Sequence, residues 1–294
     1  MINGWLNLYK PTGITSAQLV GVVKRILDKP KIGHTGTLDP EAEGILPLAL
    51  GEATKLSHIL VDAKKTYRFK IQFGARTNTA DREGEVIAST DIIPTKEQCD
   101  EVISRFIGEI EQVPPIFSAL KVNGKRAYEL ARNNEEVILA PRKVTIFSLE
   151  LLGYNHLAKT ATYEVECSKG TYIRTLAEDI AFSLQSLGFV LELARTKVGG
   201  FLESDSINFH DLALLNKEDA QRHLLQKISR VDSVLDDISV LDIDGIAAYK
   251  IRCGQKVDFE SEDHKILWLR HQNKLLAIGS LCQGRFDSMR VFNL

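Results

Sequence analysis

GHTGTLDPEAEGILPLALGEATKL, residues 33–56, changes character twice along its length. Gly33 to Gly44 has no hydrophobic periodicity and is punctuated by glycine and proline, which predicts a loop. Pro40 biases Asp39 toward extended geometry, and the glycines let the backbone approach a ligand closely. Ile45 to Leu50 is apolar enough for a buried strand, and Glu52 to Val61 reads as helical. A carboxylate fixed on a loop between regular elements is the form that functional loops take on rigid scaffolds. The same residues also fit a plain connector in which Asp39 makes an Asx-turn, and spacing alone does not separate the two. No GK[ST] follows and no GxGxxG is present, so neither nucleotide-loop fingerprint applies.

Working outward, Trp5 to Tyr9 alternates as a strand. Thr15-x-x-Gln18 is a capping box that opens a helix with Leu19, Val22, Val23, Ile26 and Leu27 on its apolar face. Thr66 to Phe73 alternates as a second strand, and Thr95-x-x-Gln98 caps a helix that ends near Gly108. Asn123-Gly124 is a tight-turn signal. Lys143 to Leu152 and Ala161 to Cys167 predict strands that lead into Ser168-Lys-Gly-Thr-Tyr-Ile-Arg174, and a helical pattern covers Thr175 to Leu187. Strands interrupted by helices without a βαβ rhythm predict an α+β fold, with a mixed, largely antiparallel sheet core flanked by helices. Toward the C-terminus, Ile246 to Cys253 reads as a short helix, and Lys265 to Leu269, Leu275 to Leu281 and Arg290 to Phe292 read as short strands. This predicts a small β-rich unit over residues 238–294, after a larger one over 1–237.

The 294 residues, 44% apolar and 26% charged, suit a globular protein with a sizeable core. No basic segment followed by an apolar one opens the chain and no apolar run is long enough to span a bilayer, so a cytoplasmic protein is expected. Cys99, Cys167, Cys253 and Cys282 form no CxxC pair and the seven histidines no HxxxH, which predicts neither disulfides nor a metal site. A formal net charge of −2 argues against a nucleic-acid partner when taken whole. The total is misleading, because residues 203–244 hold 4 lysines and arginines against 10 aspartates and glutamates. Elsewhere Lys64, Lys65, Arg68, Lys70, Arg76 and Arg82 crowd together against Asp81 alone, and Lys121, Lys125, Arg126 and Arg132 oppose only Glu129. Solvated faces are the ordinary reading of such runs.

Two further segments can carry chemistry. Arg174, at a strand-to-helix turn, can form a bidentate pair with a loop carboxylate and fix its orientation, although a surface salt bridge is the commoner fate of an arginine. Tyr67 sits inside a basic cluster, a combination used to stack on a base beside phosphate contacts, although a tyrosine in an alternating strand is more often core.

The stretch at 33–56 resembles the signature of the TruB-type tRNA pseudouridine synthases. Further likenesses occur in the family's order: Lys10-Pro-Thr-Gly-Ile-Thr-Ser16, Asp62-Ala-Lys-Lys-Thr-Tyr67, Phe117-Ser-Ala-Leu-Lys-Val-Asn-Gly124 with Tyr128-Glu-Leu-Ala-Arg132, Lys169-Gly-Thr-Tyr-Ile-Arg-Thr175 and Leu193-Ala-Arg-Thr-Lys-Val-Gly-Gly-Phe201. The resemblance covers about residues 3 to 201, with a fainter one in a PUA-like C-terminal unit. It implies the pseudouridine synthase fold and isomerisation of uridine 55 in the tRNA T-loop, with no cofactor, no metal, no required protein partner and a monomeric enzyme. By matching, Asp39 is the nucleophile, Arg174 its partner, Tyr67 the aromatic that stacks on the target base, and His34 the residue associated with the extruded base. Tyr172 and Leu193 line the pocket. Lys10, Lys64, Lys65, Lys121, Lys125 and Arg126 become candidates for phosphate contacts, with salt-dependent affinity. Glu43 departs from the small or hydroxylated residue common in the family, and it and Glu41 are expected to face solvent. The alternatives are a non-catalytic RNA-binding or RNA-folding protein on the same scaffold, and an RNA-guided synthase with accessory proteins, whose usual basic extensions are not seen.

Overall fold

The computed structural model describes residues 1–117, 120–122, 125–126 and 139–294. The larger sheet runs through Ile207–Asn208, Gly4–Lys10, Glu43–Leu50, Gly188–Val198, Lys65–Phe73, Thr160–Cys167, Arg142–Asn155 and Gly108–Gln112; Ile32–His34 and Phe201–Leu202 pair off this path. Gly4–Lys10 lies parallel to Ile207–Asn208, and Gly188–Val198 parallel to Glu43–Leu50. The other pairings are antiparallel. This is the mixed, largely antiparallel α+β architecture that the sequence predicts.

Both capping boxes form: Thr15 with Gln18 opens the helix Ser16–Ile26, and Thr95 with Gln98 opens Lys96–Glu101. In each, the threonine hydroxyl accepts from an amide that the first helical turn leaves unpaired. Leu19, Val23 and Leu27 are buried as expected. The helix Ile173–Ser183 turns Leu176, Ala177 and Ile180 onto Phe69, Ile71, Tyr163 and Val165 of the sheet. Burying a side chain of leucine size is worth about 1.5–3 kcal/mol, so this contact firmly anchors the helix that carries Arg174.

Several boundaries differ from expectation. The loop shortens, because Ile32–His34 pairs with Leu50, Ala49 and Leu48, and the following strand already begins at Glu43. The helix expected over Glu52 to Val61 starts as a 3-10 turn, Gly51–Leu56, before Ser57–Asp62. The Lys96–Glu101 helix passes into a 3-10 turn and then the strand Gly108–Gln112, which sequence reading missed. The helix expected over Thr175 to Leu187 begins earlier and ends at Ser183, giving way to the central strand Gly188–Val198. The Asn123-Gly124 turn falls outside the described residues, as does Tyr128 to Arg132; Lys121–Val122 and Lys125–Arg126 pair antiparallel across the former.

A second sheet, ordered Val240–Asp242, His264–His271, Lys274–Cys282, Arg285–Val291 and Val257–Asp258, closes the chain. It does not stand apart: Trp268, Leu275, Ile278 and Phe292 share one buried cluster with Trp5, Ile45, Leu56 and Leu60. Lys55 Nζ also donates to the Val291 carbonyl at 2.7 Å. No helix among the described residues is long and apolar enough to cross a membrane.

Candidate active site

The loop between Ile32–His34 and Glu43–Leu50 carries Asp39, and backbone bonds on both flanks hold it. Ser16 Oγ accepts from Leu38 N–H at 2.9 Å and lies 3.1 Å from the Leu38 carbonyl. The Pro40 carbonyl accepts from Gly13 N–H at 2.9 Å and from Lys10 Nζ at 3.0 Å. Arg195, 1% exposed, donates through Nε to Ile45 O at 2.9 Å and through Nη2 to Gly36 O at 3.1 Å. At Gly44 the chain exits with φ +108, and a Cβ there would lie 2.2 Å from Arg195 O, so only glycine lets the two strands meet.

Arg174 is the second residue of its helix. The turn before it is set by a reciprocal amide pair, in which Tyr172 N–H donates to Gln112 Oε1 at 3.0 Å and Gln112 Nε2 to Tyr172 O at 3.3 Å. Arg174 Nη2 lies 3.0 Å from Asp39 Oδ2, and the same nitrogen donates to Phe117 O at 2.9 Å. Nη1 lies 3.4 Å from Asp81 Oδ2 and donates to Thr79 O at 3.1 Å. The guanidinium therefore forks between two carboxylates instead of gripping one bidentately. With its side chain 9% exposed against 49% for Asp39, it serves as a buried cation behind a carboxylate that faces out. Asp81 is the residue that sequence reading missed: it stands in a turn-like stretch, Thr79-Ala-Asp-Arg-Glu83, that marks no partner 93 residues away.

Asp39, Arg174, Tyr67, Tyr172 and Leu193 line one hollow of about 120 Å³. The strands bring them there: Tyr67 faces Arg195, and Phe69 faces Leu193, across the pairing of Lys65–Phe73 with Gly188–Val198. Burial raises the Tyr67 phenol above its ordinary value, partly offset by the Arg195 guanidinium, so the ring enters the site as a neutral aromatic face with a hydroxyl. A smaller adjoining hollow is lined by Asp39, Asp81, Arg82 and Arg174. A larger hollow, about 590 Å³, lies elsewhere, between Asn7, Leu60, Phe201 and Asp237. It contains none of the paired charges, and chemistry points to the smaller ones.

His34 does not line either hollow at Asp39. Burial, then the positive Arg195, lowers its pKa, and its Nδ1 is buried without a hydrogen-bond partner among the described residues. Two of the expected phosphate contacts are corrected. Lys10 is fully buried, and Nζ donates to the carbonyls of Pro11, Ile14 and Pro40 at 2.8–3.0 Å. Lys65 is 6% exposed and donates to Val61 O and Ala63 O at 2.5 and 2.6 Å. Both ammonium groups are enclosed and spend their donors on backbone carbonyls, so neither is free to meet a phosphate. Lys64 does point outward, 3.6 Å from Glu166 and 3.9 Å above the Phe147 ring centroid. The side chains of Lys121, Lys125 and Arg126 lie outside the described residues. Glu41 and Glu43 are corrected as well: both are half-buried, Glu41 against Arg82 and Glu43 against the Tyr9 hydroxyl.

Residues 24–173 match the model of the TruB family pseudouridylate synthase N-terminal domain. The chain is 55% identical to tRNA pseudouridine synthase B of Rickettsia bellii (strain OSU 85-389), over 99% of this chain and 98% of that protein. It is 52% identical to the protein of that name from Rickettsia akari (strain Hartford), over the full length of both. Among solved structures, a chain from a crystal structure of a Cbf5-Nop10-Gar1 complex superposes with TM-score 0.74 and 25% identity, covering 99% of this chain and 85% of that one. The fold, the ordered motifs and these likenesses agree, and the chain belongs to the TruB family of pseudouridylate synthases.

Proposed function

We propose that this enzyme isomerises uridine 55 in the T-loop of tRNA to pseudouridine, with Asp39 as the nucleophile. The observation that carries the reading is the Asp39 carboxylate, half exposed and 3.0 Å from Arg174, in a hollow walled by Tyr67, Tyr172 and Leu193. A uridine must leave the stack to reach such a site, at a cost of a few kcal/mol, and the aromatic and apolar walls receive it. The N1–C1′ bond breaks, the base turns, and C5 bonds to C1′; C5 loses its proton and N1 gains one, so the reaction is redox-neutral. An anionic carboxylate serves by attack at C6 of the base or at C1′ of the ribose. Arg174 holds it in one orientation for either route. The name its relatives share, tRNA pseudouridine synthase B, supports tRNA as the substrate. Residues 1–237 carry the chemistry and 238–294 form a PUA-like RNA-binding unit, in a monomer that needs no protein partner.

Tritium release from [5-³H]uridine-labelled tRNA tests the reading. The wild-type enzyme releases tritium from a T-loop substrate and Asp39→Asn does not. No release by the wild type removes the activity, and undiminished release by Asp39→Asn removes the role of Asp39.

A further inference from the structure

The smaller of the two hollows at Asp39 has a lining of unusual charge for a protein that receives RNA. Asp39, Glu41 and Asp81 line it against two cations, Arg174 and Arg82, and Glu83 lies within reach of their charge. Burial and then the negative charge of Asp81, Glu41 and Asp39 raise the pKa of Glu83. Arg174 is committed to Asp39, Asp81 and two carbonyls and is nearly buried. Arg82 is different. Its side chain is 43% exposed, and it spends Nε, at 3.0 Å, and Nη2 on a single oxygen, Glu41 Oε2. Its Nη1 has no partner among the described residues. Glu41 thus reaches from the Asp39 loop to the Asp81 turn and holds the guanidinium with one edge facing water.

We propose that Arg82 is a phosphodiester-binding residue in the smaller hollow at Asp39, presented by Glu41 to the backbone of the incoming RNA. This inference rests on the reading of the enzyme as one acting on RNA. An arginine offers a planar fork that matches two phosphate oxygens, and one already held in place loses less freedom on binding than a free side chain. Glu41 brings this arrangement at a cost, since its own charge opposes the phosphate. Of the cations lining the two hollows, Arg82 alone is exposed enough to meet RNA directly.

Filter binding of an unmodified tRNA transcript across a series of potassium chloride concentrations tests this, with tritium release by the wild type measured alongside. Arg82→Gln weakens binding several-fold and lowers the slope of log K against log salt by about one, the loss of one phosphate contact. Arg82→Lys keeps the charge and keeps most of the slope. Glu41→Gln retains an oxygen for Arg82, removes the opposing charge and tightens binding a few-fold. A wild-type salt slope and affinity in Arg82→Gln overturns the inference, and the reading of the enzyme as one acting on RNA stands. A wild type that releases no tritium defeats the underlying reading instead.

Discussion

Enclosed cations and exposed cations stand side by side in this chain, Lys65 next to Lys64, yet the fold uses them oppositely. In the inner set, Lys10, Lys65 and Arg195 are at most 6% exposed and spend their donors on backbone carbonyls, Lys10 and Arg195 on the Asp39 loop itself. In the outer set, Lys64, Arg68, Lys70, Arg76 and Arg82 each stand by a glutamate, at Glu166, Glu203, Glu192, Glu178 and Glu41. The inner set sets geometry: remove one, and backbone carbonyls lose an enclosed donor. The outer set sets the surface field, and its pairs are individually weak because water and salt screen them.

Lys10→Met is the most severe test of the inner set. It takes the Lys10 donor from the Pro11 and Ile14 carbonyls, while Pro40 O keeps Gly13 N–H; at about 1–3 kcal/mol for each group left unsatisfied, a loss of about 2 kcal/mol or more is expected in urea unfolding. Burial lowers Lys10 from 10.5 to about 8, while nearby Asp39 and Glu41 act the other way. A lysine with a depressed folded value binds fewer protons folded than unfolded between these two limits. The wild type should therefore gain stability relative to Lys10→Met from about pH 8 to 10.5. A difference that is small and flat with pH would mean that Lys10 is not a structural cation.

Arg174→Lys comes next. An ammonium cannot contact Asp39 and Asp81 while also serving the carbonyls of Phe117 and Thr79. A misplaced reacting group costs on the order of 10²-fold, and a drop of about that size in single-turnover tritium release is expected, with the protein still folded by circular dichroism. Wild-type turnover would show that fixing Asp39 does not depend on the fork. Tyr67→Phe is milder. The ring still stacks, so turnover that matches the wild type restricts Tyr67 to stacking, whereas a loss assigns work to its hydroxyl.

The contrast between inner and outer cations also marks how far the sequence was readable. Local signals held: Thr15 with Gln18 and Thr95 with Gln98 specify their own caps within one turn of helix, and Asp39 stands out because Pro40 and the glycines surround it. What was hidden depends on partners far along the chain. Gly188–Val198 passes for a polar stretch because Glu192, Arg195 and Lys197 interrupt it, yet it sits between Glu43–Leu50 and Lys65–Phe73 with Arg195 buried at its centre. Asp81 and Lys10 were misjudged for the same reason. A charged residue is assigned to solvent by default, and only the three-dimensional contacts reveal which charges are enclosed by acceptors.

Lys64 and Lys65 give the smallest and most local test, because they are adjacent. The start of the strand Lys65–Phe73 turns Lys65 inward, where Nζ meets Val61 O and Ala63 O, and leaves Lys64 over Phe147. An exposed cation–π contact is worth about 0.5–1 kcal/mol, and methionine keeps the apolar cover on the ring. Lys64→Met is therefore expected to change unfolding free energy by less than about 0.5 kcal/mol, as surface substitutions usually do. Lys65→Met strands two carbonyls and is expected to cost about 2 kcal/mol or more in the same urea titration. For RNA affinity the order reverses: loss of the Lys64 charge flattens the salt dependence if the outer set touches the backbone, and loss of the Lys65 charge acts only through the fold. Equal stability losses in the two variants would erase the distinction between inner and outer cations at the place where it is easiest to measure.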